Sequence, residues 1–597
     1  MADYVAPLAD MRFALAVTAD LPALLGLPAF SHAESDVINA VLDEAARFSG
    51  GVIAPLNRVG DETGSRLENG EVRTPPGFAD AYRQFCAGGW NGVPFATDHG
   101  GGGLPWTVAM TVQEMMGSAN MAFSLCPLLT QGAVEAITAH GTAEQKKVYL
   151  PKLVSGEWSG TMNLTEARAG SEVGALRTSA KPDGAGAWRI KGTKIFITYG
   201  DHDMAANVIH LVLARTPGAP SGTKGISLFL VPKFLPKPDG TPGPRNDVRC
   251  LSLEHKLGIH ASPTCVLSFG DNEGALGYLV GEENAGMRCM FTMMNNARLS
   301  VGLQGVSVAE RAYQQALAFA RERKQGYRID GKGGNVSAAI VEHSDVRRML
   351  MLMKAQIEAM RALICHTASA MDFSHHHADA ATRALKRAEV DLLIPVCKAW
   401  STDLGCELTS LNVQIHGGMG YVEETGAAQL MRDARIAPIY EGTNGIQALD
   451  LVGRKLSMNG GEAVRALLNA MRAVGQDMAK DKRLEPMREP FARAVAALEK
   501  GSEWMMASMA KDPHRASGGA TAYLRLFGTV VGGWLLSRQA IAAAALIDAG
   551  QGGDFHLAKI ATARFYAAQI LPQADGLFTA ATSGADELAA MPASAFV

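Results

Sequence analysis

A multidomain α+β protein is the fold class this sequence predicts, and three observations carry that reading. The chain has 597 residues, too many for one hydrophobic core. Apolar spacing changes period twice, from helical to strand-like near residue 161 and back to helical near 285. The strongest breaks are glycine clusters, at 100–103 and again at 460–461 after Asn459. The expected division is 1–160, an N-terminal extension and helical domain; 161–284, a middle β-barrel; 285–460, a four-helix bundle; and 461–597, an additional C-terminal helical domain.

In order along the chain, apolar residues recur at helical spacing over 35–48 and 107–129. The run Gly100-Gly101-Gly102-Gly103 lacks a trailing Gly-Lys-Ser/Thr and is followed by Leu104-Pro105, so it reads as an interhelical loop rather than a phosphate loop. Residues 188–198, 207–214, 225–231 and 263–269 are short β-branched stretches between Gly, Pro and Asp, and predict an antiparallel barrel or sandwich. Helical stripes over 286–328, 337–371, 378–414 and 443–456 suit an antiparallel bundle. The methionines at 293–294 and at 349, 351 and 353 are core filler or the lining of an acyl pocket. After Asn459 an Ala-rich block, broken at Asp512-Pro513 and Gly550–Gly553, predicts four more helices.

Bulk properties exclude several classes. Hydrophobic content of 47% beside charged content of 19% describes a well-buried chain, not a disordered one. A net charge of −3 gives no global attraction to nucleic acid or anionic membrane. Asp10, Arg12 and Asp20 interrupt the apolar start, so no secretory signal is expected, and Arg538 within the apolar run 530–546 makes that run a buried helix. Eight scattered cysteines without a C-x-x-C pair point to reduced thiols and a cytoplasmic setting, with no zinc spacing. His375-His376-His377, between Asp372 and Asp379, reads as a solvated loop because adjacent histidines point in different directions. No Gly-x-Gly-x-x-Gly precedes a β-α-β unit, which disfavours nicotinamide binding.

The chemistry concentrates in a few segments. Pro438-Ile439-Tyr440-Glu441-Gly442-Thr443-Asn444-Gly445-Ile446-Gln447 sets a lone carboxylate between an aromatic residue and a glycine. Burial there would raise its pKa towards the range in which it can take a proton from carbon. This segment resembles the catalytic-base loop of the acyl-CoA dehydrogenases, and four others resemble the same family in the same order. Met162-Asn163-Leu164-Thr165-Glu166-Ala167-Arg168-Ala169-Gly170-Ser171 is similar to the family's L-T-E-P-x-A-G-S stretch, with Ala167 for the usual proline and Arg168 for a glycine. Lys194-Ile195-Phe196-Ile197-Thr198 matches its aromatic-Ile-Thr strand. Asn295-Asn296-Ala297-Arg298 and Ala320-Arg321-Glu322-Arg323-Lys324 match its two arginine positions, although Gln325-Gly326-Tyr327 depart from the usual continuation. Gln414-Ile415-His416-Gly417-Gly418-Met419-Gly420 resembles its Q-x-x-G-G-x-G loop, in which His416 reads as a loop residue rather than a base.

The resemblance implies an FAD-dependent enzyme. It places Met162, Leu164, Thr165 and Ser171 at the flavin, with Phe196 packed against the ring and the Thr198 hydroxyl directed to N5. Arg323 would reach the FAD pyrophosphate of a neighbouring protomer, as a guanidinium fork suits. Gln414, Gly417 and Gly418 would meet the adenosine diphosphate half, and Thr443 and Gly445 would complete the cofactor contacts. Ser171, Arg298, which opens a helix, and Gly442 would contact the acyl-CoA. Glu441 would take the α-proton as the β-hydrogen leaves for the flavin, the thioester oxygen being polarised by a backbone amide of the Glu441 loop. Electrons would then pass to an electron-transferring flavoprotein, and the assembly would be a homodimer.

The opening Tyr4–Phe13 segment, the 256–265 stretch and the block after residue 460 resemble the large, extra-domain branch of the family. That branch includes bacterial broad-range fatty acyl-CoA dehydrogenases and 3-methylmercaptopropionyl-CoA dehydrogenases of dimethylsulfoniopropionate breakdown. The expected reaction is 3-(methylthio)propanoyl-CoA to 3-(methylthio)acryloyl-CoA, with a short- or medium-chain fatty acyl-CoA as the alternative substrate. An acyl-CoA oxidase would share these motifs. A flavin-binding, DNA-associated protein without catalysis would show a basic C-terminal domain or lack the base, and neither holds here.

Overall fold

The computed structural model describes residues 4–184, 186–332, 334 and 336–596; the side chain of Asn295 is outside the described set. In chain order come α1 (Leu8–Phe13), α2 (Leu21–Leu25), α3 (Ser35–Phe48), α4 (Leu56–Thr63), β1 (Arg66–Glu68), β2 (Glu71–Arg73), α5 (Phe78–Ala87), α6 (Trp106–Ala119), α7 (Met121–His140) and α8 (Ala143–Val154). The strands follow: β3 (Trp158–Asn163), β4 (Ser179–Gly184), β5 (Ala187–Thr198), β6 (Asn207–Ala214), β7 (Ser227–Pro232), β8 (Phe234–Pro236), β9 (Pro242–Arg245), β10 (Val248–Leu253), β11 (Thr264–Phe269) and β12 (Ala275–Val280). Helices resume with α9 (Gly286–Glu322), α10 (Ser344–His376), α11 (Ala380–His416), α12 (Ala427–Ala434) and α13 (Asn444–Asp450). The last are α14 (Glu462–Met478), α15 (Glu485–Lys511), α16 (Pro513–Asp548), α17 (Asp554–Gln569), α18 (Gln573–Thr582) and α19 (Ala585–Ala590). Contacts divide the described residues into a first compact unit, within 47–104 and 119–300, and a second, within 4–46, 105–118 and 301–596.

The first unit is organised by one curled sheet of eight strands, in the order β10-β11-β5-β12-β7-β6-β3, with β4 also on β5. Strands β6 and β7 are buried at every position, so their apolar residues run continuously instead of alternating. The predicted sheet was wholly antiparallel; β3 and β6 pair in parallel. Strand β3 enters from α8 rather than from a hairpin turn, so chain direction is not reversed there. Its Gly160 lets α7 approach: a Cβ at that position would fall 2.5 Å from Ala133 Cβ. Buried Asn246 donates to Pro232 O (2.9 Å) and Leu276 O (2.8 Å), satisfying carbonyls where strands diverge. The N-terminal region is not purely helical either, because β1 and β2 form a short hairpin around Asn69-Gly70, both at positive φ.

The second unit is helical. Helices α9 and α11 touch backbone to backbone: a Cβ at Gly305 would fall 2.2 Å from Ser401 O, and one at Gly302 2.5 Å from Cys397 O. Helix α16 is long and apolar enough to cross a membrane, yet 67% of its most apolar stretch is buried in the protein. Gly528 and Gly532 admit the Trp400 indole from α11. Six helices follow Asn459 rather than four, because Pro572 and Gly584 break what composition alone reads as continuous. Helix α9 stops at Glu322, short of the expected 328, and α10 starts at Ser344, since Arg323–Gln325 pair with Ala338–Ile340 instead of coiling. Helix α10 runs on through His375 and His376, so those histidines are a helix end and not a loop. Asp372 accepts from Trp106 N (2.9 Å), Thr107 N (3.0 Å) and Thr107 Oγ1 (2.7 Å), anchoring the start of α6.

A buried ionic cluster knits this unit. Arg361 on α10 donates to Glu114 Oε1 on α6 (Nη2, 2.6 Å), to Glu310 Oε2 on α9 (2.7 Å) and to Asp10 on α1. Lys559 on α17 donates to Asp10 Oδ1 (2.6 Å) and Glu358 Oε2 (2.7 Å), and Lys354 pairs with Glu358. Burial opposes the charge on Asp10, but Lys559 and Arg361 hold its carboxyl well below the usual range. Four carboxylates meet three cations here, and burial pushes the Glu114 carboxyl upward, the direction that lets one proton neutralise the excess.

Candidate active site

In the second unit, Glu441 sits on a turn between α12 and α13 that is strained and heavily braced. Its φ is +57° and that of Gly442 is +85°. Left-handed backbone costs a non-glycine residue about 1–2 kcal/mol, a strain that recurs at functional sites. Asn444 N donates to Pro438 O (3.0 Å) and closes the turn. Asn444 Nδ2 donates to Asp403 Oδ1 (2.7 Å) and Thr402 Oγ1 (2.9 Å), while Lys398 Nζ donates to Asn444 Oδ1 (2.8 Å), so the turn is moored to α11. Gln447 Nε2 donates to the carbonyls of Glu441 (3.2 Å) and Gly442 (3.3 Å). Thr443 Oγ1 accepts from Ile446 N (3.3 Å) as the cap of α13, and Gly445 lies exposed in its first turn. Tyr440, half-buried, donates its hydroxyl to Gln304 Oε1; burial, reinforced by the Glu441 carboxylate, pushes that phenol upward. Glu441 itself is only half-buried, a milder setting than its sequence neighbours suggest.

In the first unit, the Met162–Ser171 segment is held to β5 by a buried ion pair. Lys194, with no exposed side-chain surface, donates to Glu166 Oε1 (2.8 Å) and Leu164 O (3.0 Å). Glu166 also accepts from Arg177 N (2.7 Å), Thr178 N (3.0 Å) and Thr178 Oγ1 (2.6 Å). Ile195 N donates to Thr165 O (2.9 Å), and Glu166 and Ala169 exchange backbone bonds around Ala167-Arg168 in a tight turn. The departures from the family pattern thus fall within a closed turn. Met162, Leu164 and Thr165 are half-buried and Ser171 is exposed.

Strand β5 carries one extra residue against β11: Cys265 pairs Ile197, yet Leu267 pairs Lys194. This bulge puts Phe196 at φ +59° and leaves its ring 58% exposed, with half-buried Thr198 two residues on. Bulges re-aim side chains beside active sites. An outward aromatic face on a rigid strand suits an isoalloxazine ring. Gly417, at φ +60°, and Gly418 in the second unit are exposed with nothing near their Cβ positions, which suits backbone approach by the adenosine diphosphate half of FAD. Gln414 and Arg323 are exposed as well; Arg323 Nη2 donates to Gln325 Oε1 (3.3 Å).

Two sequence expectations change. Arg298 does not open a helix; it is buried well inside α9, because the Met-rich stretch before it continues the helix back to Gly286. His416 is buried at the end of α11, stacked on Phe319 at 4.3 Å and bonded through Nδ1 to Asn412 O (2.8 Å), a packing role. Among the described residues no cluster of His, Cys, Asp or Glu could hold a metal ion. Lys194, Gln304, Asn444 and Gln447 escaped assignment from the sequence. All but Gln304 lie inside quoted segments, so their proximity to the motifs was the available signal.

Residues 36–157, 161–272 and 284–457 match the N-terminal, middle and C-terminal domains of acyl-CoA dehydrogenases, and 466–592 match the acetyl-CoA dehydrogenase C-terminal-like domain. The chain is 45% identical to the 3-methylmercaptopropionyl-CoA dehydrogenase of Ruegeria pomeroyi, over 98% of this chain and 99% of that one. It is 37% identical to a butyryl-CoA dehydrogenase of Syntrophomonas wolfei, over 100% and 99%. The acyl-CoA dehydrogenase of Bacillus anthracis solved with FAD shares the fold, with a TM-score of 0.73 and 20% identity over 92% of this chain and 88% of that one. With this identity sustained over nearly its whole length, the chain belongs to the acyl-CoA dehydrogenase family of FAD-dependent oxidoreductases.

Proposed function

We propose that this enzyme dehydrogenates 3-(methylthio)propanoyl-CoA to 3-(methylthio)acryloyl-CoA, with Glu441 as the base that takes the α-proton. The observation that carries the substrate reading is the 45% identity to the Ruegeria pomeroyi enzyme over nearly the full length of both chains. FAD, when bound, supplies the acceptor for the β-hydrogen and its electron pair. The protein's own part is positional. The moorings of Asn444 and Gln447 hold the Glu441 carboxylate in a fixed place, so little reorganisation is needed as the proton moves. A backbone amide of the Glu441–Gly442 turn donates to the thioester oxygen and stabilises the charge that develops as the α-proton leaves, and Gly442 lies against the acyl-CoA. Phe196 and Thr198 hold the flavin ring, with Met162, Leu164, Thr165 and Ser171 beside it. Arg323, Gln414, Gly417 and Gly418 hold the remainder across a homodimer interface, and Thr443 and Gly445 complete the cofactor site. Ser171 and Arg298 orient the acyl-CoA.

The division 1–160, 161–284, 285–460 and 461–597 is the domain organisation of this reading. Electrons leave to an electron-transferring flavoprotein, and eight unbridged cysteines suit a reducing cytoplasm. A short-chain fatty acyl-CoA is the second reading, favoured by the 37% identity to a butyryl-CoA dehydrogenase. 3-(Methylthio)propanoyl-CoA is one chain atom longer than butanoyl-CoA, and a length difference of one methylene in an apolar pocket discriminates by roughly 10–200-fold. Comparing kcat/KM for 3-(methylthio)propanoyl-CoA, butanoyl-CoA, hexanoyl-CoA and palmitoyl-CoA tests the assignment. The methylthio substrate should lead, with palmitoyl-CoA last. A clear preference for palmitoyl-CoA, or no turnover of the methylthio substrate, would overturn it.

A further inference from the structure

The second unit contains a cleft of about 460 Å³ whose lining comes from the stretch Thr18–Asp20, α10, α11, α14 and α16. That volume falls in the range of small-molecule sites, roughly 300–1,000 Å³. It is removed from the base and cofactor loops. Glu389, which lines it, lies 25 residues before Gln414 on the same helix, roughly 37 Å at the α-helical rise. Asn444, beside the base, docks on α11 at Lys398 and Thr402, about two and a half and three and a half turns beyond Glu389.

The polar groups of the cleft are unevenly spent. Both oxygens of Glu389 are engaged, by His366 Nε2 (2.6 Å) and Lys386 Nζ (2.7 Å). Ser369 Oγ donates to Ala19 O. Arg538 is different. Its half-buried guanidinium lies over the Trp534 ring at 5.5 Å and gives Nη2 to Val17 O at 3.0 Å. Among the described residues it makes no ion pair within 4.0 Å; Asp20 and Glu389 act on it from farther off, and burial works against its charge. Trp534 is fixed in turn, edge-on to His366 at 5.1 Å. A planar fork held on an aromatic face, with N–H groups unspent, is a receptor for an oxyanion. Phe373, Leu385, Leu467 and three alanines of α14 supply apolar walls beside it.

We propose that this cleft is a second ligand site, which takes a small aliphatic monocarboxylate. The carboxylate meets the Arg538 fork and the chain lies along Leu385 and Leu467. Asp20 borders the same space, so a dianion such as phosphate is repelled more strongly than a single charge. No step of acyl-CoA dehydrogenation uses these residues, and the site stands apart from the choice of substrate.

The test is hexanoate binding to the full-length, FAD-loaded enzyme, measured by calorimetry with the acyl site filled by saturating hex-2-enoyl-CoA. Hexanoate should bind saturably. Arg538→Gln, which removes the charge from the fork, and Ala466→Trp, which fills the cleft from the exposed face of α14, should each weaken it by about tenfold or more. FAD content and acyl-CoA turnover without hexanoate should be unchanged in both variants. Ala466→Trp keeps the test decisive if Arg538→Gln fails to fold. Absence of saturable binding, unchanged affinity in a folded variant, or displacement of hexanoate by equimolar inorganic phosphate would overturn the proposal.

Discussion

The two compact units bury charge in opposite styles. In the first, Lys194 and Glu166 pair within one local motif, and Glu166 keeps three further donors from Arg177 and Thr178. In the second, Asp10, Glu114, Glu310 and Glu358 converge on Arg361, Lys559 and Lys354 from helices far apart in sequence. The local pair positions a loop beside a predicted cofactor surface. The distributed cluster fastens the N-terminal extension, α6, the bundle and the extra C-terminal block into one body.

The largest separation between these styles should come from removing their central cations. Arg361→Leu leaves several carboxylates buried without their shared partner, and breaking such a network costs about 3–5 kcal/mol. Lys194→Met should cost less, about 1–3 kcal/mol, because backbone and hydroxyl donors still satisfy Glu166. Urea unfolding of the FAD-loaded variants measures both, and equal losses would erase the distinction.

A smaller effect separates the units by pH. Burial pushes the Glu135 carboxyl, in the first unit, up to about 8, with only the Asn296 amide acting against it. Burial also opposes the charge on Glu389 in the second unit, but His366 and Lys386 hold its carboxyl at about 2. For Glu135 the folded value lies above the unfolded one, so its contribution is complete below about pH 4.5 and is lost as pH rises through 8. For Glu389 the folded value lies below, so its contribution is present above about pH 4.5 and is lost as pH falls through 2. Thermal midpoints should show Glu135→Gln gaining on the wild type in alkali. Glu389→Gln should be the weaker protein at neutral pH, with the gap closing in acid. Parallel profiles for the two variants would contradict the contrast.

What could be read from the sequence follows the range of the interactions involved. Strand β6 appears over the predicted 207–214 because a continuous apolar, β-branched run bounded by Asn207 and Arg215 is a local signal. The Asp512-Pro513 break is equally local: Asp512 caps α16 and Pro513 begins it. Strands β10 and β12 were missed, since mixed sequences such as Val-Arg-Cys-Leu-Ser-Leu become strands only through their neighbours in the sheet. The Phe196 bulge depends on the register of β11, where Cys265 pairs Ile197 from 68 residues further along the chain, and leaves no local mark. The ionic cluster was invisible for the same reason, as Asp10 and Lys559 are 549 residues apart. Glu441 was legible because its neighbours form a resemblance, whereas Gln304, 136 residues before Tyr440, was not.

The proposed chemistry rests most directly on Glu441. The decisive measurement is the rate of anaerobic flavin reduction by 3-(methylthio)propanoyl-CoA in purified, FAD-loaded Glu441→Gln. If Glu441 is the base, the variant should fold and keep its flavin while reduction slows by roughly 10³-fold or more, the scale on which a positioned base acts. Flavin reduction at a rate near that of the wild type would contradict the assignment.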